Sequence, residues 1–120
     1  MCIFLKHKYQ MNWTDGFKGA ITVCDREGIV VYMNEESKKV FAKYDEGGLV
    51  GKSLLFCHPE PARAVLESML AEPKSNTYTI EKNGIRKMIH QSPWMEDGQF
   101  KGVVEMSFEI PMELLHHKRD

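Results

Sequence analysis

The sequence predicts an α+β domain in which helices pack on one face of a five-stranded antiparallel sheet. Two strand-like runs come first, two helical patterns follow, and three more strand-like runs close the chain. The last three runs are separated by Asn83-Gly84 and Asp97-Gly98, dipeptides that are typical of tight hairpin turns. With 120 residues, the chain has room for a single modest core.

The first two strands form a predicted hairpin. Ala20–Asp25 has strand character, and Ile29–Met33 is a strongly β-branched partner. The segment Asp25–Gly28 has Asp first and Gly fourth, as type I turns prefer. Asn34 is a good N-cap for the helical run EESKKVFAKY that follows. For Asp25 and Asn34, the structural roles of turn opener and helix cap are favoured over a role in binding.

A second helix is predicted directly after the stretch FCHPEP. Pro61 suits the first helical position, because its ring presets the backbone angle and its missing N–H would have no partner there. Apolar residues then recur with the spacing of one buried helix face, at Ala62, Val65, Leu66, Met69 and Leu70. Pro73 ends the helix.

The last three strands are predicted at Asn76–Lys82, Ile85–Gln91 and 100–110. The final strand alternates between apolar and polar residues. Its apolar face consists of Phe100, Gly102, Val104, Met106, Phe108 and Ile110, and its other face carries mostly Lys101, Glu105, Ser107 and Glu109. We expect the apolar face to lie opposite the second helix.

Residues 20–110 therefore form the predicted domain, with a partly helical leader at 1–19 and a short helix or tail at 111–120. A formal net charge of −1 argues against a nucleic-acid partner. The N-terminal apolar run CIFL is too short for a signal peptide or a membrane span. Cys2, Cys24 and Cys57 are odd in number and irregularly spaced, so we expect no disulfide framework and a cytoplasmic location.

From residue 20 to residue 110 the chain resembles a PAS domain. The resemblance rests on the opening AITVCDREGIVVYMNEESKKVF, on LVGKSL before the second helix, and on DGQFKGVVEMSFEI at the end. It implies a sheet in the order 2-1-5-4-3 and a role as a sensory or dimerisation module in signalling. The CHP triplet at Cys57–Pro59 further resembles PAS modules found with bacterial hemerythrin-like domains.

Two departures from the PAS pattern bear on function. Family members often end with Asp, then Ile or Val, then Thr, a step that transmits to an effector, whereas this chain has Glu109, Ile110 and Pro111. Flavin-binding light sensors of the family have a cysteine at the position of Leu54, so no photoactive flavin adduct is expected. Haem and a small metabolite remain the candidate ligands.

Cys57 and His58 allow three interpretations. The favoured one is a helix-entry turn, with Cys57 as a small buried side chain and His58 bonded to nearby backbone, so that His58→Ala would cost about 1 kcal/mol. Thiolate and imidazole could instead ligate haem or a metal, although a structural zinc site needs four ligands and the sequence offers two. The third is a redox thiol at a helix N-terminus.

A ligand pocket is predicted between the second helix and the sheet. Its candidate lining is Val65, Leu66, Met69, Met88, His90, Val104, Met106 and Phe108, which could equally form a filled core. His90 could point inward or to solvent, and its shared face with Met88 favours the interior. Trp94 could cover a sheet edge or cap the pocket mouth.

Two functions compete. The favoured one is a non-catalytic sensory or interaction module in bacterial signal transduction, which acts as a homodimer or by docking to an effector protein. Exposed apolar residues in the leader and tail support a dimer: Ile3, Phe4, Leu5, Trp13, Met112, Leu114 and Leu115. The alternative is a small isomerase or hydrolase, which needs a positioned acid or base in an apolar cavity. The sequence contains no carboxylate pair, Ser-His-Asp arrangement or phosphate-binding glycine loop, so no catalytic residue is predicted.

Overall fold

The computed structural model describes residues 12–43 and 48–120. Cys2 and the leader residues Ile3, Phe4 and Leu5, which carry part of the predicted dimer interface, lie outside the described residues. The helices are α1 (Trp13–Gly16), α2 (Glu35–Val40) and α3 (Ala62–Ala71), and a single 3₁₀ turn occupies Leu54–Cys57. The strands are β1 (Ala20–Asp25), β2 (Val30–Met33), β3 (Asn76–Lys82), β4 (Ile85–Glu96) and β5 (Gln99–Ile110). No helix among these residues is long and apolar enough to cross a bilayer.

The five strands form one antiparallel sheet in the order β2-β1-β5-β4-β3, which confirms the order implied by the PAS resemblance. Both predicted two-residue turns are present, because Asn83, Gly84, Asp97 and Gly98 all have positive φ. Near the start of β5, where Gly102 pairs with the last residue of β1, a Cβ atom on Gly102 would lie 1.9 Å from the Cys24 carbonyl oxygen. Only glycine therefore allows β1 and β5 to approach each other there.

Strand β4 continues past its predicted end at Gln91 and includes Pro93. The pairing explains why a proline is tolerated in this strand. Asn76, the first residue of β3, pairs with Gln91, so beyond that point β4 has only β5 as a neighbour. Pro93 therefore lies where β4 has no hydrogen-bonded neighbour on its β3 side, so its missing N–H interrupts no strand pairing there.

The core fills the space between the sheet and the segments that carry α2, the 3₁₀ turn and α3. Its members are Cys24, Val30, Met33, Phe41, Leu49, Leu54, Cys57, Leu66, Met69, Leu70 and Val103. Helix α3 contributes three of the five residues predicted for its buried face, whereas Ala62 is half-buried and Val65 is 37% exposed. The helix begins at Ala62, one residue later than predicted, with Pro61 immediately before it.

Asn34 and Asp25 have the predicted structural roles. The Oδ1 of Asp25 accepts from the backbone N–H groups of Glu27 and Ile29 and opens the turn. The Oδ1 of Asn34 accepts from the Ser37 N–H at 3.0 Å and so caps α2.

The fully buried Asn34 side chain has three further partners. Its Oδ1 also accepts from the Ile21 N–H at 2.8 Å, and its Nδ2 donates to the carbonyls of Thr14 and Gly19. One side chain therefore joins α1, the start of β1 and α2. At the other end of the chain, residues 111–120 form no helix or strand.

Candidate functional site

A row of polar side chains crosses the sheet on the face that meets the helices. Asn76, Gln91, Glu105 and Thr22 are successive cross-strand neighbours on β3, β4, β5 and β1. The Asn76 amide donates to Gln91 Oε1 at 3.0 Å, and the Gln91 amide donates to Glu105 Oε1 at 2.8 Å. Thr22 instead shares a hydrogen bond with the Ser37 hydroxyl on α2. Polar groups buried in this way need partners, and the row supplies them.

His58 reaches this row from the helix side. The Ser53 hydroxyl accepts from the Leu55 N–H at the start of the 3₁₀ turn, and the His58 N–H donates to the Leu55 carbonyl at its end. This turn directs the imidazole inward, where His58 is only 9% exposed. Its Nδ1 lies 3.0 Å from the Leu54 carbonyl, and its Nε2 lies 3.1 Å from Glu105 Oε1.

The protons in this cluster can be counted. A carbonyl oxygen only accepts, so Nδ1 of His58 carries a proton. Burial lowers the pKa of His58, but the hydrogen bond and charge of Glu105, together with the Leu54 carbonyl, outweigh it and raise that pKa above its ordinary value. When it is protonated, His58 can donate from Nε2 to the Glu105 carboxylate, and this buried pair links the entry of α3 to the middle of β5.

A cavity of about 270 Å³ lies beside this pair, between the helices and the sheet. Its lining is Val40, Phe41, Cys57, His58, Pro59, Ala62, Tyr78, Ile80, Lys87, Ile89, Glu105 and Ser107. An adjoining groove of about 430 Å³ runs toward the β3 edge and shares Pro59, Ala62, Tyr78 and Ile80 with it. Burial and then the Glu105 charge raise the pKa of Tyr78, so its hydroxyl stays protonated at neutral pH. Such a space, apolar with a few convergent polar groups, has the character of a small-molecule site.

The predicted residues divide between the two faces of the sheet. Cys57 and His58 line the cavity, and Val65 lines the adjoining groove. Leu66 and Met69 belong to the filled core. Trp94 is half-buried opposite Gly102 and lines neither space.

The predicted placement of Val104, Met106 and Phe108 opposite α3 is wrong. Val103 packs in the core with Leu66, and Glu105 bonds to His58, so alternation along β5 turns the even-numbered side chains to the outer face of the sheet. This outer face is therefore more apolar than expected, and the helix face more polar.

The preference for an inward orientation of Met88 and His90 is wrong for the same reason. His90 pairs with Met106 and Met88 pairs with Phe108, which places both on the outer face. There the His90 Nδ1 lies 2.7 Å from the Thr77 hydroxyl. Gln91, one residue along β4, occupies the inward position instead.

Sequence reasoning also missed the site residues Glu105, Gln91 and Tyr78. A single carboxylate inside the apolar run VVEMSF was a signal that Glu105 could be functional. The partner of His58 could not be found in this way, because 47 residues separate the two side chains.

The arrangement does not fit iron or zinc ligation by Cys57 and His58. Both ring nitrogens of His58 are engaged in hydrogen bonds, so a metal would have to displace Leu54 or Glu105. Burial, followed by the Glu105 charge, raises the pKa of the Cys57 thiol, which disfavours the thiolate that ligation or redox chemistry needs. Within residues 12–43 and 48–120, His, Cys, Asp and Glu form no cluster of three that could hold a metal. These groups therefore support the helix-entry interpretation over a ligand set, with the added partner Glu105.

The chain matches no family model and no curated protein. Its structure is similar to the PAS domain of the histidine kinase ThkA, at 18% identity and a TM-score of 0.60, over 77% of this chain and 99% of that one. The PAS domain of BvgS from Bordetella pertussis matches at 20% identity and a TM-score of 0.61, over 82% of each chain. The Aer2 receptor from Vibrio cholerae, described as a dual PAS-heme oxygen sensor, matches at 21% identity and a TM-score of 0.57, over 80% of this chain and 97% of that one. These similarities establish the fold.

Proposed function

We propose that this chain, which has the PAS fold, is a non-catalytic sensory and interaction module that binds a small molecule between α3 and the sheet. The observation that carries the proposal is the cavity of about 270 Å³ with the buried Glu105–His58 pair in its wall. A cavity in this position is open to a ligand while the surrounding sheet and helix remain packed. The setting we propose is bacterial cytoplasmic signal transduction, and the resemblance to domains of sensor proteins supports it.

Ligand binding would affect two elements of the structure, β5 and the entry to α3. Glu105 lies on β5, the strand that leads to the C-terminal segment, and His58 lies at the entry to α3. A ligand that bonds to Glu105 would weaken or strengthen the Glu105–His58 pair, which joins these two elements. The change could then pass along β5 or across the outer face to a second chain.

A homodimer through the outer sheet face or the leader is part of this proposal. Val104, Met106 and Phe108 are half-buried on that face, and Trp13 in α1 is 54% exposed. Apolar surface of this kind supports an interface. Leu114 and Leu115 in the tail are also exposed and could dock an effector protein.

The ligand we propose is a small metabolite. Haem would need a free ligating nitrogen, and both nitrogens of His58 are in hydrogen bonds. The alternative function, a small isomerase or hydrolase, meets the same difficulty, since a general base must have a free position aimed at the substrate. The geometry therefore favours sensing.

A fragment titration followed by NMR tests the proposal. A broad set of small acids, amines and neutral molecules is added to the isotope-labelled chain, and amide and methyl signals are followed. We expect fragments to shift the signals of Ile89, Ser107 and Tyr78, which line the cavity. If every fragment leaves those signals unchanged, the sensory proposal is wrong. Gly98, in the exposed β4–β5 turn and outside the lining of the cavity and the groove, serves as the internal control.

A further inference from the structure

Lys87 is a half-buried lysine on the helix face of β4. It lines the cavity at the end nearer the β3–β4 turn. Its side chain makes no hydrogen bond or ion pair within the described part of the chain, and Glu109, opposite it on β5, is exposed. An ammonium at the edge of an apolar cavity and without a partner among the described residues favours an anion beside it.

The other end of the cavity offers different chemistry. Glu105 Oε1 accepts two hydrogen bonds, from His58 and Gln91, whereas Oε2 has no partner among the described residues. The Tyr78 hydroxyl is likewise without a hydrogen bond in this part of the chain. Because His58 already balances the Glu105 charge, a neutral donor suits Oε2 better than a second cation does.

Apolar side chains separate the two ends. Ile89 lies between Lys87 and Gln91 on β4, and Phe41 and Ala62 also line the cavity. Lys87 lies four residues along β4 from Gln91, the neighbour of Glu105, which corresponds to about 13 Å of strand before the lysine side chain shortens the gap. The cavity is therefore polar at both ends and apolar between them, and its volume suits a single small ring.

We propose that the cavity binds a small monocarboxylate whose acid group pairs with Lys87 and whose far end carries a hydroxyl or N–H donor for Glu105 and Tyr78. This inference rests on the proposed function, since it specifies the ligand class of the same cavity. The proposed function leaves the ligand class open, whereas this inference requires a ligand with an acid group at one end and a neutral hydrogen-bond donor at the other.

Four probes of similar size test the ligand class in NMR titrations of the full chain. They are 4-hydroxyphenylacetate, phenylacetate, 4-hydroxyphenethyl alcohol and 4-hydroxyphenethylamine. We expect 4-hydroxyphenylacetate to bind tightest, by about tenfold over each of the others, as one charge-assisted or shielded hydrogen bond would give. Tightest binding by the alcohol or the amine would overturn the proposed class and leave the sensory proposal standing.

Two variants, Lys87→Met and Tyr78→Phe, and one control, Lys82→Met, assign the contacts. Lys87→Met should abolish the preference for the acid over the alcohol, whereas Lys82→Met, on the exposed neighbouring strand, should keep it. Tyr78→Phe should reduce the preference for 4-hydroxyphenylacetate over phenylacetate. If Lys87→Met and Lys82→Met bind the acid equally well, Lys87 is not the anchor and the inference is wrong. If neither these probes nor the broad fragment set shifts a cavity signal, both proposals fail together.

Discussion

The imidazole of His58 and the carboxylate of Glu105 lie 3.1 Å apart, although 47 residues separate them in the chain. Both side chains are at least nine-tenths buried, and each has a second partner, the Leu54 carbonyl for His58 and the Gln91 amide for Glu105. The pair fastens the start of α3 to the central part of the sheet. It also forms part of the wall of the cavity that we propose as the ligand site.

Removing His58 should destabilise the fold far more than the loss of one turn-closing hydrogen bond. His58→Ala would leave the Glu105 carboxylate buried without its cation, and breaking a buried pair costs about 3–5 kcal/mol. This replaces the sequence-based expectation of about 1 kcal/mol. Urea denaturation measures the change, with Glu109→Gln on the exposed part of the same strand as a control that should stay within about 0.5 kcal/mol.

The double variant His58→Leu/Glu105→Leu separates pairing from packing. With both side chains replaced, no uncompensated charge remains, and although the Gln91 amide and the Leu54 carbonyl lose their partners, the double variant should be more stable than His58→Ala. A His58→Ala variant that loses only about 1 kcal/mol would show that the pair contributes little and that His58 acts through its backbone bond alone.

The contribution of His58 to the stability of the fold should decline as the pH rises above about 6.5. The folded-state pKa of His58 is raised, since the Glu105 and Leu54 contacts outweigh burial. Its contribution is therefore complete below the unfolded value of about 6.5 and is lost as the pH rises through the folded pKa. Denaturation curves between pH 6 and pH 9, about the window in which histidine titrates, measure this loss.

His58→Gln is the matched control for that pH series. Glutamine can donate to Glu105 but does not titrate, so its stability profile should be flatter than that of the parent. Cys24, whose pKa burial raises to about 11, adds alkaline sensitivity to both proteins and cancels in the difference. Identical profiles for the two proteins would contradict the ion pair.

Gly102→Ala should destabilise the sheet. Its new methyl group would meet the Cys24 carbonyl oxygen at 1.9 Å, so β1 and β5 would have to separate. We expect a loss of at least about 1–3 kcal/mol, as for overpacked cores. Gly16→Ala in α1 has no atom within 4 Å of the added group and should be neutral or slightly stabilising. Equal thermal stability for both alanine variants would refute the close approach.

The outer sheet face should hold the proposed dimer together. Light scattering at about 100 μM, which would populate even a weak dimer, should show a dimer for the parent chain. Met106→Arg places a charge on the outer face and should give a monomer, whereas Gln99→Arg at the exposed start of β5 should not. A parent chain that is monomeric at this concentration would rule out the dimer, and a dimeric Met106→Arg variant would exclude this face.

The parts of the fold that the sequence predicts well are those set by neighbouring residues. The turns at Asn83-Gly84 and Asp97-Gly98 and the cap at Asn34 each depend on the chemistry of a few adjacent positions. Their order, with the PAS resemblance, led to the correct strand arrangement.

The orientation of β5 was predicted wrongly because the prediction depended only on the periodicity of its apolar residues. Both faces of β5 are substantially covered, and the one facing the helices carries Glu105 beside Val103. A buried carboxylate is acceptable only because His58 and Gln91 arrive from distant parts of the chain. The local pattern therefore predicted that Val104 and Met106 face the helices. The residues of β4 and β5 that were predicted to line the cavity lie on the outer face of the sheet instead.

The bonding of Asn34 determines where this domain can be cut. A shortened protein that started at Ala20, where the sheet begins, would lose the Thr14 and Gly19 carbonyls that receive the Asn34 amide. That amide would stay buried with both protons unused while its oxygen still held β1 and α2. The smallest unit suitable for grafting onto another protein, or for a minimal expression product, therefore begins before Thr14, within the segment that the sequence assigned to the leader.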